Sequence, residues 1–556
     1  MSWPSSSFAI GATEGTSPPG ESNATATWFL TPEQRGNAAS SVDDAHPQVA
    51  WTVGNTATPL AHGRNYFQRL LQVIEETGDG DEINFTDWRG DADERLRGPG
   101  TEVAHVLAHA ASRGVVVRGL IWRSHSHRFR FSKQENRSLA DLVNAAGGEV
   151  FLDERVRRAG SHHQKLFVVR HRDAPDRDIA FVGGIDLSHG RNDDCHHDGD
   201  PQTISIDRRF GPRPAWHDMQ IEIRGPAVDD LAETFRERWN DPAPLHGGRW
   251  RHGWRRLSSS RTPHPDGRAP VPFGRAQGDD EVCGAHAVQV LRTYPSKRPR
   301  LPFAPDGERS IASAYEKAFS RARDLIYIED QYLWSLDAAR ILARCLRDNS
   351  ELRVVAVVPR FPDDDGPVSG PPSRIAQLRA IRVLSRAGGE RFAVYDLEGA
   401  HYPIYVHAKV CIVDDVWMTI GSDNLNRRSW THDSEISCAV LDEERDLRHP
   451  VDPGRQGDGA RVLARDTRLA LWAEHTEAAM VPVPSRDGME LLHRSASDLD
   501  AWHGSGCVGP RPPGRLRSHH ADPVPGWALP WSWIMYRYVS DPDGRPLRLR
   551  LKRSMG

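Results

Sequence analysis

Between residues 59 and 242, short apolar runs alternate with stretches of helical period. EINFTDW (82–88) reads as a strand, EVAHVLAHAASRG (102–114) as a helix and VVVRGLIW (115–122) as a buried strand. A helix over 136–146 and strands at EVFLD (149–153) and QKLFVVR (164–170) follow. Continuous apolar strands covered by helices predict an α/β chain with a largely buried sheet. The series then begins again: a helix at 313–322, and strands within 325–334 and at 352–359, 392–397, 407–414 and 417–422.

The two series have the same order, which predicts an internal duplication. Asp87 precedes His163 by 76 residues and Glu329 precedes His407 by 78, and FRERWNDP (235–242) has a counterpart in LWAEHTE (471–477). The expected organisation is an irregular lead-in over 1–45, a first half over 46–240, a linker or surface loop over 241–300, a second half over 301–480 and a C-terminal extension over 481–556. In the extension, alternation of Trp531, Trp533 and Met535 ahead of a DPDG turn predicts a β-hairpin. Core packing is the favoured use of those tryptophans, and transient contact with a membrane surface the alternative.

Composition changes this picture little. A net charge of −4 across 556 residues implies no bulk attraction to nucleic acid or anionic membrane. Six scattered cysteines without a Cys-x-x-Cys pair signal neither a zinc site nor a disulfide framework. The first residues lack a basic start and long apolar run, and no apolar stretch is long enough to span a bilayer, so a cytoplasmic, monomeric protein is expected.

The chemistry is concentrated in SHHQKLFVVR (161–170) and VHAKVCIVDD (406–415). With 26 histidines and scarce lysine, chance supplies about 0.3 His-x-Lys pairs, and there are two at the same stage of each repeat. Residues two apart on a strand share a face, so His163 projects with Lys165 and His407 with Lys409. A Gly-containing turn follows each pair, FVGGIDLSHGR (181–191) and TIGSDNLNRRS (419–429), bringing Asp186, Ser422 and Asn424 as hydrogen-bonding groups. Asp218 and Glu435 are the candidates to hold the far ring nitrogens of the histidines. NDDCHHDGD (192–200) reads as a flexible polar loop, with cation binding as the alternative.

These segments, with WHD (216–218), RGPAV (224–228) and IYIEDQY (326–332), resemble the phospholipase D superfamily over roughly residues 60–480. The resemblance implies two α/β/α sandwich halves packed around one shared active site. It implies catalytic roles for His163, Lys165, His407, Lys409 and Asp414, the last completing the second motif, His407-x-Lys409-x4-Asp414. Arg170 stands where the first motif usually has aspartate; alternation puts it, like Asp414 in the second motif, on the face opposite the histidine and lysine. The acidic end there supports the strand from behind, and an arginine is tolerated if Asp173, Asp176 or Asp178 lies within reach. The implied reaction is hydrolysis or headgroup exchange on a phospholipid through a phosphohistidine, without metal or other cofactor and without an obligate nucleic-acid partner. A cardiolipin-forming phosphatidyltransferase, a nuclease and a catalytically dead phosphate-binding scaffold are the alternatives.

Overall fold

The computed structural model describes residues 22–124, 132–204, 206–245, 268, 270–271, 283–363 and 370–552. The chain enters through α1 (Ser22–Trp28) and α2 (Pro32–Arg35). The first half runs β1 (Thr52–Ala61), α3 (Gly63–Glu75), β2 (Glu82–Asp87), α4 (Val103–Ser112), β3 (Val116–Trp122), α5 (Lys133–Ala145), β4 (Glu149–Asp153) and β5 (Leu166–Arg170). It ends with β6 (Ile179–Gly183), β7 (Ala215–His217), β8 (Met219–Arg224) and α6 (Ala227–Asn240). The second half comprises β9 (His286–Tyr294), β10 (Glu308–Arg309), α7 (Ser310–Arg321), β11 (Leu325–Glu329), α8 (Leu336–Asp348), β12 (Arg353–Val357), α9 (Gly370–Gly388) and β13 (Phe392–Glu398). Then come β14 (Pro403–Val406), β15 (Val410–Val413), β16 (Trp417–Gly421), α10 (Arg427–Thr431), β17 (Glu435–Asp442) and α11 (Val462–Thr476). The extension carries α12 (Ser485–Gly504), β18 (Leu516–Ser518), α13 (Leu529–Met535) and α14 (Leu547–Lys552).

Strand pairing makes the repeat explicit. The first sheet has the order β4-β3-β2-β5-β6-β8-β1 and the second β13-β12-β11-β15-β16-β17-β9. In both, the first three strands are mutually parallel and the remaining neighbours antiparallel. Period-two alternation divides each strand between two cores: Phe167 and Val169 face α3, α4 and α5, while Leu166 and Val168 face inward. The inner faces of both sheets, with α6 and α11, form one shared core, and the outer face of the second sheet packs on α7, α8 and α9. The sheets are joined edge to edge through β1–β9 and through the parallel pair β7–β14.

Three expectations are corrected. The lead-in is not irregular throughout: α2 starts on a capping box, in which the Thr31 hydroxyl accepts from the Gln34 N–H and the Gln34 side chain accepts from the Thr31 N–H. Trp28, Phe29 and Leu30 are buried against α7, and the Gln289 amide holds both backbone groups of Leu30 at 2.9 Å. Residues 1–21 and most of the expected linker (246–267, 269 and 272–282) lie outside the described residues, and the end of that linker is instead β9, which pairs with β17 and starts the second half before residue 301. The C-terminal segment is helical rather than a hairpin. Its buried positions, Ala528, Ser532 and Tyr536, recur every four residues, and Tyr536 packs beside Trp334 and Ala376. Small residues at that spacing let a helix lie close against α9, whereas alternating tryptophans find no partner strand there.

Candidate active site

Each His-x-Lys segment lies immediately before a central strand, β5 or β15, and is stitched to the opposite half. The His163 N–H donates to the Ser434 carbonyl at 2.9 Å, and the Ser434 N–H to Ser161 at 3.1 Å. Reciprocally, the N–H groups of His407 and Ala408 donate to the His217 carbonyl at 2.7 and 3.2 Å. This stitching exchanges the carboxylates. Glu435, from the second half, lies 2.9 Å from His163 Nδ1; Asp218, from the first, lies 2.6 Å from His407 Nδ1. Nε2 of both rings has no hydrogen-bond partner among the described residues, and the side chains retain 15% and 8% exposure.

The surroundings are cationic and largely dry. Burial, then Lys165 and Lys409, holds the His163 imidazole well below its usual pKa. Burial and Lys409 push His407 down to about 3 against the opposing pull of Asp218. Lys409 falls to about 8, burial outweighing Asp218 and Asp330, and Lys165 lowers it further. Lys165 is also lowered by burial, against Asp186 and Asp87. Lys409 acts on His163 and Lys165 on Lys409, so the two pairs share one electrostatic environment.

The two dyads are unequal. Burial, with Asp433 adding to it, raises Glu435 to about 8. Burial also works against the Asp218 carboxylate, but His407 and Lys409 outweigh it and keep its pKa below the usual value. Ser422 donates to Glu435 at 2.6 Å and so acts through that carboxylate. Its counterpart in the first half is Gly184, where a Cβ would stand 2.2 Å from Asp218 Oδ1. The Asp218 carboxylate thus occupies the space that a side chain there would need. Asp186 accepts from Arg191 at 2.7 Å and from Ser188 at 2.9 Å, and faces Lys165 and His407 electrostatically. Asn424, its counterpart, is buried with Oδ1 unpartnered among the described residues.

Asp414 is not among these groups. It lies beyond the far end of β15, and its carboxylate accepts the backbone N–H groups of Arg323, Asp324 and Leu325, each at 2.8 Å. It holds the start of β11 from behind the strand, where alternation from His407 and Lys409 puts the acidic end of the motif, and none of these contacts reaches the two histidines. In the first half the staple runs the other way: Asp81, ahead of β2, accepts from the Arg172 N–H and the Gly78 N–H, each at 2.8 Å. Arg170 pairs with Asp178 at 4.0 Å and with Asp229 on α6. Asp415 pairs with Arg465 and Arg468 on α11. Both strand ends are thus tied to an inner helix by ion pairs, Arg170 to α6 and, one residue beyond Asp414, Asp415 to α11.

Sequence reasoning passed over several groups. The partner of Asp87 is Asp330, not Glu329: Asp87 accepts from the Leu187 N–H at 3.1 Å and Asp330 from the Leu425 N–H at 2.7 Å. A spacing of 77 residues from Asp330 to His407, against 76 in the first half, carried that signal. Trp88 meets His163 edge-on at 6.1 Å and lies 5.8 Å from Lys165 Nζ, while Trp216 packs 5.1 Å from His407 and carries Arg191 on its other contact at 4.2 Å. Spacing alone does not distinguish such walls from core aromatics.

A duplicated α/β architecture with one His-x-Lys pair per half defines a two-lobed class of protein in which each lobe completes the other's dyad. The chain belongs to the phospholipase D superfamily: residues 93–337 match the family described as Phospholipase D, and 315–449 that described as Cardiolipin synthase, PLD-like domain. It is similar to Phospholipase D gamma 2 of Arabidopsis thaliana, 26% identical over 486 residues, covering 68% of this chain and 56% of that one. Phospholipase D alpha 1 of the same plant is 27% identical over 574 residues, covering 80% and 68%. The chain thus spans little more than half the length of the gamma 2 relative. Among solved structures, phosphatidylserine synthase of Haemophilus influenzae aligns with a TM-score of 0.46 at 15% identity, over 70% of this chain and 82% of that one. No described helix is long and apolar enough to cross a membrane.

Proposed function

We propose that the protein is a phospholipase D-type phosphodiesterase that cleaves the headgroup phosphodiester of glycerophospholipids in two displacements. The observation that carries this reading is the pair of histidines, each with Nδ1 held by a carboxylate of the other half and Nε2 left to react. In the first step His163 Nε2 forms a bond to phosphorus, the bond to the headgroup oxygen breaks, and His407 gives that oxygen a proton. In the second, His407 takes a proton from water or an acceptor alcohol, whose oxygen attacks phosphorus as the P–N bond breaks. Lys165 and Lys409 neutralise the non-bridging oxygens where charge accumulates. Asp218 stabilises the imidazolium of His407, and Glu435 fixes the ring of His163.

The exposed Trp527, Leu529, Ile534 and Tyr538 around α13 support transient contact with a lipid surface. A second reading, transfer of the phosphatidyl group to a lipid alcohol, is favoured by the match of 315–449 to the family described as Cardiolipin synthase, PLD-like domain. One panel tests both: phosphatidylcholine, phosphatidylglycerol, single-stranded DNA and an aryl phosphodiester, each with and without a primary alcohol. Headgroup release, an alkyl ester in alcohol and acid-labile phosphate on His163 are expected. Cardiolipin formed from phosphatidylglycerol supports the second reading. Turnover of DNA alone, or turnover without exchange or labelled histidine, refutes the first.

A further inference from the structure

A second group of imidazoles lies beside the reacting pair and takes no part in the proposed chemistry. His62, between β1 and α3, His197, in the loop between β6 and β7, and His217, at the end of β7, close around Glu474 of α11. His62 Nε2 is 2.9 Å from Glu474 Oε2; His197 Nε2 and His217 Nδ1 are 3.2 and 3.5 Å from Oε1. The three ring centroids stand 5.0 to 5.7 Å apart, and all three histidines are buried. One donor atom from each of the four residues lies within 4.8 Å of the others.

We propose that His62, His197, His217 and Glu474 form a binding site for a divalent transition-metal ion of the zinc type, built by both halves of the chain. Tetrahedral zinc with arms of about 2.0–2.1 Å has donor–donor edges of roughly 3.3 Å, within the spread of the three distances above. Three imidazoles and one carboxylate suit zinc or cobalt and not calcium or magnesium, which require an oxygen shell. The far nitrogens of two ligands already meet carboxylates, as metal-bound histidines require. His217 Nε2 lies 2.7 Å from Glu329, which is itself held by His475 at 2.7 Å and by the Tyr327 hydroxyl. His197 Nδ1 lies 3.5 Å from Asp193, whose same oxygen accepts the Trp216 N–H at 2.7 Å. His217 Nδ1 is buried and stands 3.5 Å from Glu474 Oε1, too far for a short hydrogen bond and with no closer partner among the described residues, a position that a metal would fill. His62 and His197 also adopt left-handed backbone conformations, with φ of 66° and 57°, at residues that are not glycine. Of the segment 192–200, weighed above as a cation site, only His197 is a ligand, with Asp193 behind it.

The site is closed, and its place in the fold gives it a structural task. The His217 carbonyl receives the His407 and Ala408 N–H groups, and the Asp218 carbonyl receives the His62 N–H at 2.8 Å. A metal here pins the corner that aims Asp218 at His407 and ties α11 to the first half.

The full-length chain is stripped with chelator, reloaded with zinc sulfate, desalted and assayed for metal. One tightly held zinc per chain is expected, together with a rise in melting temperature. X-ray absorption of this wild-type sample should give a first shell of nitrogen and oxygen at about 2.0–2.1 Å with outer-shell scattering from imidazoles. His197→Gln and Glu474→Gln should each weaken zinc binding by at least about tenfold. A chain that retains no zinc and gains no stability from it overturns the proposal. So does a metal shell of water or sulfur, or undiminished zinc in both variants. The absorption experiment reads the ligand set without any variant, so a misfolded substitution leaves the result decisive.

Discussion

Replacing Asp218 by asparagine keeps the size of the side chain and removes the charge that faces His407 across 2.6 Å. An asparagine oxygen can still accept the Met219 N–H, which Asp218 accepts at 2.9 Å, so the β7–β8 corner should fold. With roughly 4 Å between charge centres and an effective dielectric near 20, the lost attraction for a His407 imidazolium is about 4 kcal/mol. At about 1.4 kcal/mol per decade, that predicts a fall in turnover of about a thousandfold. The orientation that keeps the Met219 bond turns the amide NH2 toward His407 Nδ1 in place of Asp218 Oδ2, which adds to the loss by selecting the wrong tautomer. The assay is steady-state release of headgroup from a short-chain phospholipid, with circular dichroism and melting temperature as folding controls. In a His407→Ala background the same substitution should cost less than about tenfold, because its effect passes through the missing ring. Asp218→Asn retaining turnover within tenfold of wild type, or costing as much in both backgrounds, would refute the exchange of carboxylates as a catalytic device.

In the empty enzyme the His163–Glu435 pair holds one proton beyond its Nδ1–H below about pH 8, and His407 gains its own only near 3. The proposed reaction needs one such proton, and Lys409 must be charged, a state lost as pH rises through about 8. We therefore expect kcat/KM to be level from weakly acidic to neutral pH and to fall above about pH 8 with a slope steeper than one decade per unit; a limb at an ordinary histidine pKa contradicts this. Arg170→Ala should change turnover by less than about tenfold and stability by about 1 kcal/mol or less, because Asp229 is half exposed. Lys165→Ala should cost on the order of a thousandfold, and equal losses from these two variants would place Arg170 in the chemistry. Asp414→Ala strips three N–H groups of their acceptor and should cost about 3 kcal/mol in urea denaturation while the folded fraction turns over normally; lost turnover without lost stability would restore Asp414 to the catalytic set. Trp527→Ser combined with Ile534→Ser should weaken sedimentation with phospholipid vesicles by roughly tenfold and leave hydrolysis of a soluble aryl phosphodiester unchanged; undiminished sedimentation would move the lipid contact elsewhere.

Continuous apolar runs located β2, β3, β4, β5, β11, β12, β13, β15 and β16, because a strand buried on both faces has little freedom of composition, while β1, β6, β8, β9 and β17 went unread. The repeated His-x-Lys pairs located both histidine–carboxylate dyads for a different reason: lysine is scarce in this chain, so a second pair in register stands out. Which carboxylate serves which histidine was not legible, since Asp218 and Glu435 each follow their own half's motif and the exchange arises only when β7 meets β14 and Ser434 meets the His163 segment. The place of Asp414 was legible, because alternation puts it behind the strand that carries His407 and Lys409. The C-terminal segment shows a different limit: a stripe of tryptophans read at strand period lies on a helix whose buried positions are Ala528, Ser532 and Tyr536, with Trp533 partly buried beside Tyr536. The cluster around Glu474 was invisible along the chain, its four members being spread from residue 62 to residue 474.

The crossed dyads also bear on how such a chain can arise. A polypeptide with a single half would carry a histidine and a carboxylate that do not reach each other, and a lone copy would have neither dyad complete. A two-fold axis through the site satisfies both at once, because the carboxylate each copy lends is repaid in kind by its neighbour. Fusing two copies into one polypeptide preserves that closure and frees the two sides to differ. The difference is already visible in glutamate with serine behind it on one side, against aspartate with glycine behind it on the other. Ancestry of this kind constrains drift: a substitution in either lobe is felt first by the histidine of the other.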